Sequence, residues 1–239
     1  MMNSKDSKFS DQEKAKFFAA QKAAKEFIYD GFVVGVGTGS TVKYFIQQLG
    51  ELVDKNELEI ITIPSSAETH LELVKAGLPV STLLEYPEIN IYVDGADIIT
   101  KDYVMIKGGG GALTLEKIIA RASQEFLVIA DSSKYPRDLL SYPVPVEIIK
   151  QAIITVLQPI FNLGGELQLR YGSGKKGPVI TDNGNIIGDI TFKQEYNPFN
   201  MEMNLNNIAG IVENGLFPSD ADKIIIGKKN NAKLIKRDS

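Results

Sequence analysis

The sequence predicts an α/β protein: a mostly parallel sheet covered by helices on both faces, followed by a smaller α+β domain. Three observations carry this reading. Apolar runs such as 32–36 and 126–130 show no polar alternation, as strands buried on both faces require. They alternate with helical stretches, which is the rhythm of strand–helix–strand units. Past Pro143 and Pro145 that rhythm gives way to shorter strands and turns.

Taken in order, residues 17–29 form an amphipathic helix rich in Ala and Lys, ended at Asp30-Gly31. Residues 32–36 form a buried strand. After Gly37-Thr38-Gly39-Ser40-Thr41 comes a helix with Val42, Phe45, Ile46 and Leu49 on one face. A strand over 59–63 is broken at Pro64, a helix over 65–76 is stopped by Gly77, and 91–93 is a third strand. A helix over 112–123 leads into the strand 126–130. Residues 147–161 read as a helix, then 164–170 as a strand, and 178–191 as two strands joined at Asp182-Asn183-Gly184. A helix over 199–207 and a strand over 208–213 follow, and Ile224-Ile225-Ile226 is apolar enough to return to the first sheet. This places the sheet domain at 1–141 plus 220–239 and the small domain at 142–219.

Composition removes many chemistries. The chain holds no Cys, which excludes disulfides, thiol nucleophiles and Cys-based zinc sites. The single histidine, His70, excludes two-His metal motifs, and it sits among Leu71, Leu73 and Val74 on a helix, a surface or half-buried position. A net charge of −4 argues against nucleic acid or an anionic membrane as main partner. The N-terminal residues lack the apolar core of a signal peptide, and no run of 18 apolar residues occurs, so a soluble cytoplasmic protein is expected.

Carboxylates must then supply any acid–base chemistry, and they cluster. Asp94-Gly95-Ala96-Asp97 closes a strand, where open α/β sheets place their sites. Ten residues on, Lys107 precedes Gly108-Gly109-Gly110-Gly111, a costly run that makes sense where backbone approaches a ligand closely. On the next helix the apolar stripe is Leu115, Ile118, Ile119 and Ala122, with Glu116 at its margin, where partial burial suits a general base. Each feature also has a plainer reading: Asx caps for the aspartates, a linker for the glycines, a surface ion pair for Glu116.

The glycine loop 35–41 fails both nucleotide fingerprints. Ser40 stands where the third glycine of the dinucleotide motif belongs, no acid ends the strand at 59–63, and no Gly-Lys pair closes the loop. What remains is a set of amides and hydroxyls at a helix N-terminus, suited to one phosphate or to a tight capped turn. Ser65 and Ser66 offer a second hydroxyl set at the same edge, and Lys134 in Asp131-Ser132-Ser133-Lys134 is a further contact candidate.

Together, Val34-Gly35-Val36-Gly37-Thr38-Gly39-Ser40-Thr41, Tyr92-Val93-Asp94-Gly95-Ala96-Asp97, Ile106-Lys107-Gly108-Gly109-Gly110-Gly111 with Glu116, and Ile129-Ala130-Asp131-Ser132-Ser133-Lys134 resemble the ribose-5-phosphate isomerase type A family. Pro143-Val144-Pro145-Val146-Glu147 and 211–217 extend the match in the same order. The resemblance implies interconversion of D-ribose 5-phosphate and D-ribulose 5-phosphate without cofactor or metal. It implies a Rossmann-like sheet domain, a small ferredoxin-like domain, and a homodimer or tetramer. It makes Glu116 the proton-shuttling base, with Asp94, Asp97 and Lys107 lining the site. Substrate contacts fall to Thr38, Gly39, Ser40 and Thr41, to Gly95 and Ala96, to Gly108, Gly109 and Gly110, and to Lys134. The family's N-terminal substrate-contacting lysine has no certain match here; Lys14, Lys16 and Lys22 are candidates. Two other readings stay open: an amino-sugar-phosphate deaminase, which normally uses a histidine, and a sugar-phosphate-sensing module, which normally carries a basic DNA-binding segment.

Overall fold

The structure, a computed structural model, describes residues 9–55, 57–174 and 176–236. Residues 1–8 and 237–239, the two ends of the sheet domain expected at 1–141 plus 220–239, lie outside the described residues. In chain order the elements are α1 (Asp11–Phe27), β1 (Val33–Val36), α2 (Ser40–Asp54), β2 (Ile61–Pro64), α3 (Ala67–Lys75), β3 (Ile91–Asp94), β4 (Ile98–Ile99), β5 (Met105–Ile106), α4 (Leu113–Ala122) and β6 (Phe126–Asp131). They continue with β7 (Val144–Ile148), α5 (Leu157–Asn162), β8 (Gly165–Leu169), β9 (Ile186–Phe192), α6 (Pro198–Asn206), β10 (Ile211–Asn214), β11 (Leu216–Phe217), β12 (Lys223–Lys228) and β13 (Asn231–Lys236). The chain divides into two compact units, one of Met1–Gly95, Ile119–Tyr135 and Ala221–Ser239, the other of Ala96–Ile118 and Pro136–Asp220.

The first unit is an open six-stranded sheet in the order β13-β12-β6-β3-β1-β2. Five strands run parallel and β13 adds an antiparallel edge. Counted along the parallel strands the order is 2-1-3-4-5, so the topological switch falls between β1 and β3, where doubly wound sheets bind ligands. The core joins Val34, Val36, Val93, Leu127, Ile129 and Ile225 to Phe45 and Leu49 of α2 and to the alanine face of α1. That helix begins six residues earlier than its apolar pattern predicts. A capping box explains the difference: Ser10 Oγ accepts from Glu13 N, and the Glu13 carboxylate accepts from Ser10 N. Strand β2 also runs through Pro64 rather than stopping before it. As an edge strand it tolerates a residue that donates nothing to the ladder.

The second unit holds a four-stranded antiparallel sheet, β10-β7-β9-β8, with α5 and α6. Its β-α-β-β-α-β sequence and 4-1-3-2 strand order are those of a ferredoxin-like fold. The helix expected over 147–161 is corrected here. Residues 144–148 are a fully buried central strand, and helix is confined to one 3-10 turn and α5. Glu147 misleads a hydropathy reading because it is charged yet wholly buried. Its carboxylate accepts from Thr114, Thr181, Asn183 and Asn185, so the charge is solvated by protein instead of water. The expected hairpin around 182–184 keeps its turn, but only β9 is a strand, its partner segment being two isolated bridges. A three-stranded sheet, β11-β5-β4, completes the unit.

Candidate active site

In the first unit, the loop after β1 carries Thr38 and Gly39, and α2 starts at Ser40 with Thr41 buried in its first turn. Thr38 Oγ1 lies within 2.8 Å of both Ser65 Oγ and Ser66 Oγ and 3.0 Å from Thr69 Oγ1. Ser66 in turn caps α3, accepting from Thr69 N, and Thr69 Oγ1 donates to Gly37 O. Two adjacent strand-to-helix loops are thus tied together by hydroxyls at the carboxyl edge of the sheet.

Asp94, the last residue of β3, fixes this loop from below. It is fully buried; Oδ1 accepts from Thr38 N (3.0 Å) and Gly95 N (2.6 Å), and Oδ2 accepts from the Tyr92 hydroxyl. Gly37 N donates to Val93 O, which brings the two loops so close that a Cβ on Gly37 would stand 1.9 Å from the Asp94 carboxyl carbon. Glycine is required here by space.

The first turns of α1 reach the same edge. Lys16 Nζ donates to Ser40 Oγ (2.9 Å), and Gln12 Nε2 donates to Asp131 (3.3 Å). Of the three lysines left open by sequence, the structure puts Lys16 at the N-terminus of α2. Ammonium, helix end and hydroxyls converge there as an anion site would require. Lys134 ends the 3-10 turn after β6 and is half-buried; no hydrogen bond or ion pair among the described residues joins it to the β1 loop. His70 is exposed on α3.

In the second unit, Lys107 and Glu116 form a buried ion pair, 3.1 Å from Nζ to Oε2, each side chain about 3–4% exposed. Glu116 therefore lies well inside the helix's covered face, not at its margin, while Ile118 of the expected apolar stripe is half exposed. The buried face of α4 carries charge because each charge has a partner. Lys117, also buried, bonds Glu213 at 2.8 Å and Glu202 at 3.3 Å. The Phe217 ring receives both ammonium groups, Lys117 at 4.8 Å and Lys107 at 5.5 Å from its centroid.

Asp97, which follows Ala96 and precedes β4, accepts the Gly109 amide on Oδ2 at 2.7 Å, and the Tyr142 hydroxyl is hydrogen-bonded to the same carboxylate. Gly108 is buried, and Gly109 and Gly110 are exposed. Burial, with Asp97 charged beside it, pushes the Tyr142 phenol up to about 12. An unfolded tyrosine releases its proton near pH 10, so the raised value favours the fold below that pH, and the contribution fades as pH climbs toward 12. Tyr142→Phe should accordingly show a shallower alkaline decline in urea-unfolding stability than the parent protein; identical slopes would refute the assignment.

Sequence reading did not single out Arg170 or Tyr142, both of which bond to this apparatus. No local motif marks them, since their partners lie tens of residues away along the chain.

The family model for ribose 5-phosphate isomerase A (phosphoriboisomerase A) matches residues 61–231. The ribose-5-phosphate isomerase A of Pyrococcus abyssi is 43% identical over 227 residues, 94% of this chain and 99% of its own. That of Trichodesmium erythraeum is 44% identical over 218 residues, 90% of this chain and 92% of its own. Among solved structures, the Methanocaldococcus jannaschii ribose 5-phosphate isomerase A matches with a TM-score of 0.89 at 41% identity, covering 94% of this chain and 99% of that one. A D-ribose-5-phosphate isomerase in complex with phospho-erythronic acid matches with a TM-score of 0.92 at 40% identity, covering 95% and 100%.

Proposed function

The chain belongs to the ribose 5-phosphate isomerase A family, and from this premise we propose that it interconverts D-ribose 5-phosphate and D-ribulose 5-phosphate through a cis-enediolate. The observation that carries the mechanism is the buried Lys107–Glu116 pair, a carboxylate and an ammonium held together away from water. Glu116 is the base that takes the C2 proton of the open-chain aldose and returns it to C1. Lys107 stabilises the negative oxygen as it develops, and the O2 proton passes to O1, which leaves the ketose. A positioned base is worth about 10²–10⁴ in rate, and each well-placed oxyanion donor about 3 kcal/mol.

The phosphate is assigned to Thr38, Gly39, Ser40 and Thr41 with Lys16, so that binding energy remote from the reacting carbons fixes their position. Asp94 assists ring opening by moving a proton between the ring oxygen and the C1 hydroxyl, while its second duty is to hold the loop. Asp97 orients sugar hydroxyls and supports the charge of Lys107. Gly95, Ala96, Gly108, Gly109, Gly110 and Lys134 complete the substrate contacts. No cofactor or metal takes part in this scheme.

Among the described residues no helix is long and apolar enough to cross a membrane. We place the enzyme in the cytoplasm, in the non-oxidative pentose phosphate pathway, as a homodimer or tetramer assembled through residues of the small domain at 142–219. The test is formation of ribulose 5-phosphate by purified protein from ribose 5-phosphate, with and without a chelator. Equal activity in both is expected. No ketose formed would sink the reading, and metal-dependent turnover would sink the cofactor-free mechanism.

A further inference from the structure

The glycine run 108–111 poses a physical problem that the isomerase chemistry alone does not answer. Four glycines in succession give up more backbone freedom on ordering than any other sequence, yet a loop that stabilises an oxyanion must be rigid before the charge appears. Something outside the loop has to hold it. Within the second unit that group is Arg170, directly after β8. Its Nη1 donates to Gly108 O at 3.1 Å and to Gly109 O at 2.9 Å. Its other nitrogens are occupied: Nε donates to Asp189 Oδ2 at 2.8 Å and Nη2 to Asp189 Oδ1. The backbone of Arg170 is itself pinned, its N–H donating to Ile187 O and its carbonyl accepting from Val179 N.

We propose that Arg170, braced by Asp189, is a positioning residue for the isomerisation: by binding the Gly108 and Gly109 carbonyls it orients the Gly110 N–H as an oxyanion donor. The geometry follows from the planar trans peptide, whose C=O and N–H point in opposite directions. The Gly108–Gly109 peptide is claimed at both ends, its oxygen by Arg170 and its N–H by Asp97. The Gly109–Gly110 peptide is claimed at its oxygen only. Its N–H therefore faces away from the guanidinium, Gly110 is exposed, and no acceptor among the described residues takes that donor. The adjacent Gly111 N–H closes the turn onto Gly108 O. Arg170 suits the task because its fork reaches two carbonyls and one carboxylate at once, which a lysine ammonium on a flexible stem does not. Burial works against its charge, but the Asp189 carboxylate outweighs that and raises the guanidinium's pKa, so the clamp stays cationic.

The role as oxyanion positioner rests on the isomerase reading; the clamp itself does not, and the experiment separates them. Arg170→Lys and the isosteric Asp189→Asn are compared with the parent protein in steady-state kinetics, phospho-erythronic acid and inorganic phosphate binding, and amide hydrogen exchange. Expected are a kcat lower by about 10²-fold, as for loss of one oxyanion donor, KM nearly unchanged, and phospho-erythronic acid affinity falling alongside kcat. Inorganic phosphate affinity should hold, and the Gly109 and Gly111 amides should exchange faster while the sheet core does not. Unchanged exchange in both folded variants removes the clamp. Faster exchange with undiminished kcat removes the catalytic role, as does a kcat loss matched by a general fall in melting temperature. An inactive parent protein would sink the isomerase reading, and with it the oxyanion role; the exchange result would then decide the clamp alone.

Discussion

Glu116→Gln is expected to lower kcat by about 10³–10⁴-fold, the upper part of what a positioned general base contributes. The amide keeps the shape of the carboxylate and an oxygen that can accept from Lys107, but it cannot take a carbon-bound proton. In free energy the expected loss is about 4–5.5 kcal/mol of transition-state stabilisation, at 1.36 kcal/mol for each tenfold. KM should change little, because substrate is anchored elsewhere in this mechanism. Breaking a buried pair exposes its partner to an uncompensated environment, so the variant's melting temperature must be read beside its kinetics. A second readout uses the chemistry directly: in heavy water the parent protein should wash the C2 proton of ribose 5-phosphate into solvent, and the variant should not. A folded Gln variant with near-parental turnover would show that Glu116 is not the base.

Gly37→Ala is expected to lower kcat/KM by about 10²-fold, the penalty of misplacing a site by roughly an ångström. The added methyl would sit 1.9 Å from both Cγ and Oδ1 of Asp94 and 2.4 Å from its Cβ. Asp94 is held by the Tyr92 hydroxyl and the Gly95 amide, so the β1 loop is the part that must retreat, and it takes Thr38 N and the hydroxyl cluster with it. The loss should fall mainly on KM and on inorganic phosphate binding, in contrast to Glu116→Gln. Gly174→Ala provides the steric control, since a methyl there meets nothing within 4 Å. Equal kinetics for Gly37→Ala and Gly174→Ala would remove the claim that this close approach builds the anion site.

Much of this was legible in the chain. Continuous apolar runs marked the parallel strands at 33–36, 91–94 and 126–131, and the glycine and hydroxyl residues after 36 marked a tight strand-to-helix turn. The carboxylates and lysine assigned to proton transfer stood out by clustering beside the glycine run, in a chain without Cys, paired His or a nucleotide fingerprint, and their roles came with the family resemblance. Local patterns failed where burial and charge coincide. The burial of Glu147 and Lys117 is invisible to a sequence window, which cannot show the Thr, Asn and Glu partners that make it tolerable. Strands of two residues, such as 98–99 and 216–217, are too short to carry a period. The true start of α1 was readable, in the Ser10–Glu13 capping box, and with it Lys16 falls on a helix that reaches Ser40.

By itself, then, the sequence determined the sheet class, the family resemblance and the inventory of candidate reacting groups, because strand burial, turn formation and side-chain chemistry are local properties. Tertiary structure alone decided which groups act on which: Lys107 on Glu116, Asp94 on Thr38, Lys16 on Ser40, and Arg170 on glycines 61 and 62 positions away. Those pairings depend on strand order and loop approach, which are set by packing across the whole chain. At that level a distant arginine holds the glycine run and a buried aspartate holds the β1 loop.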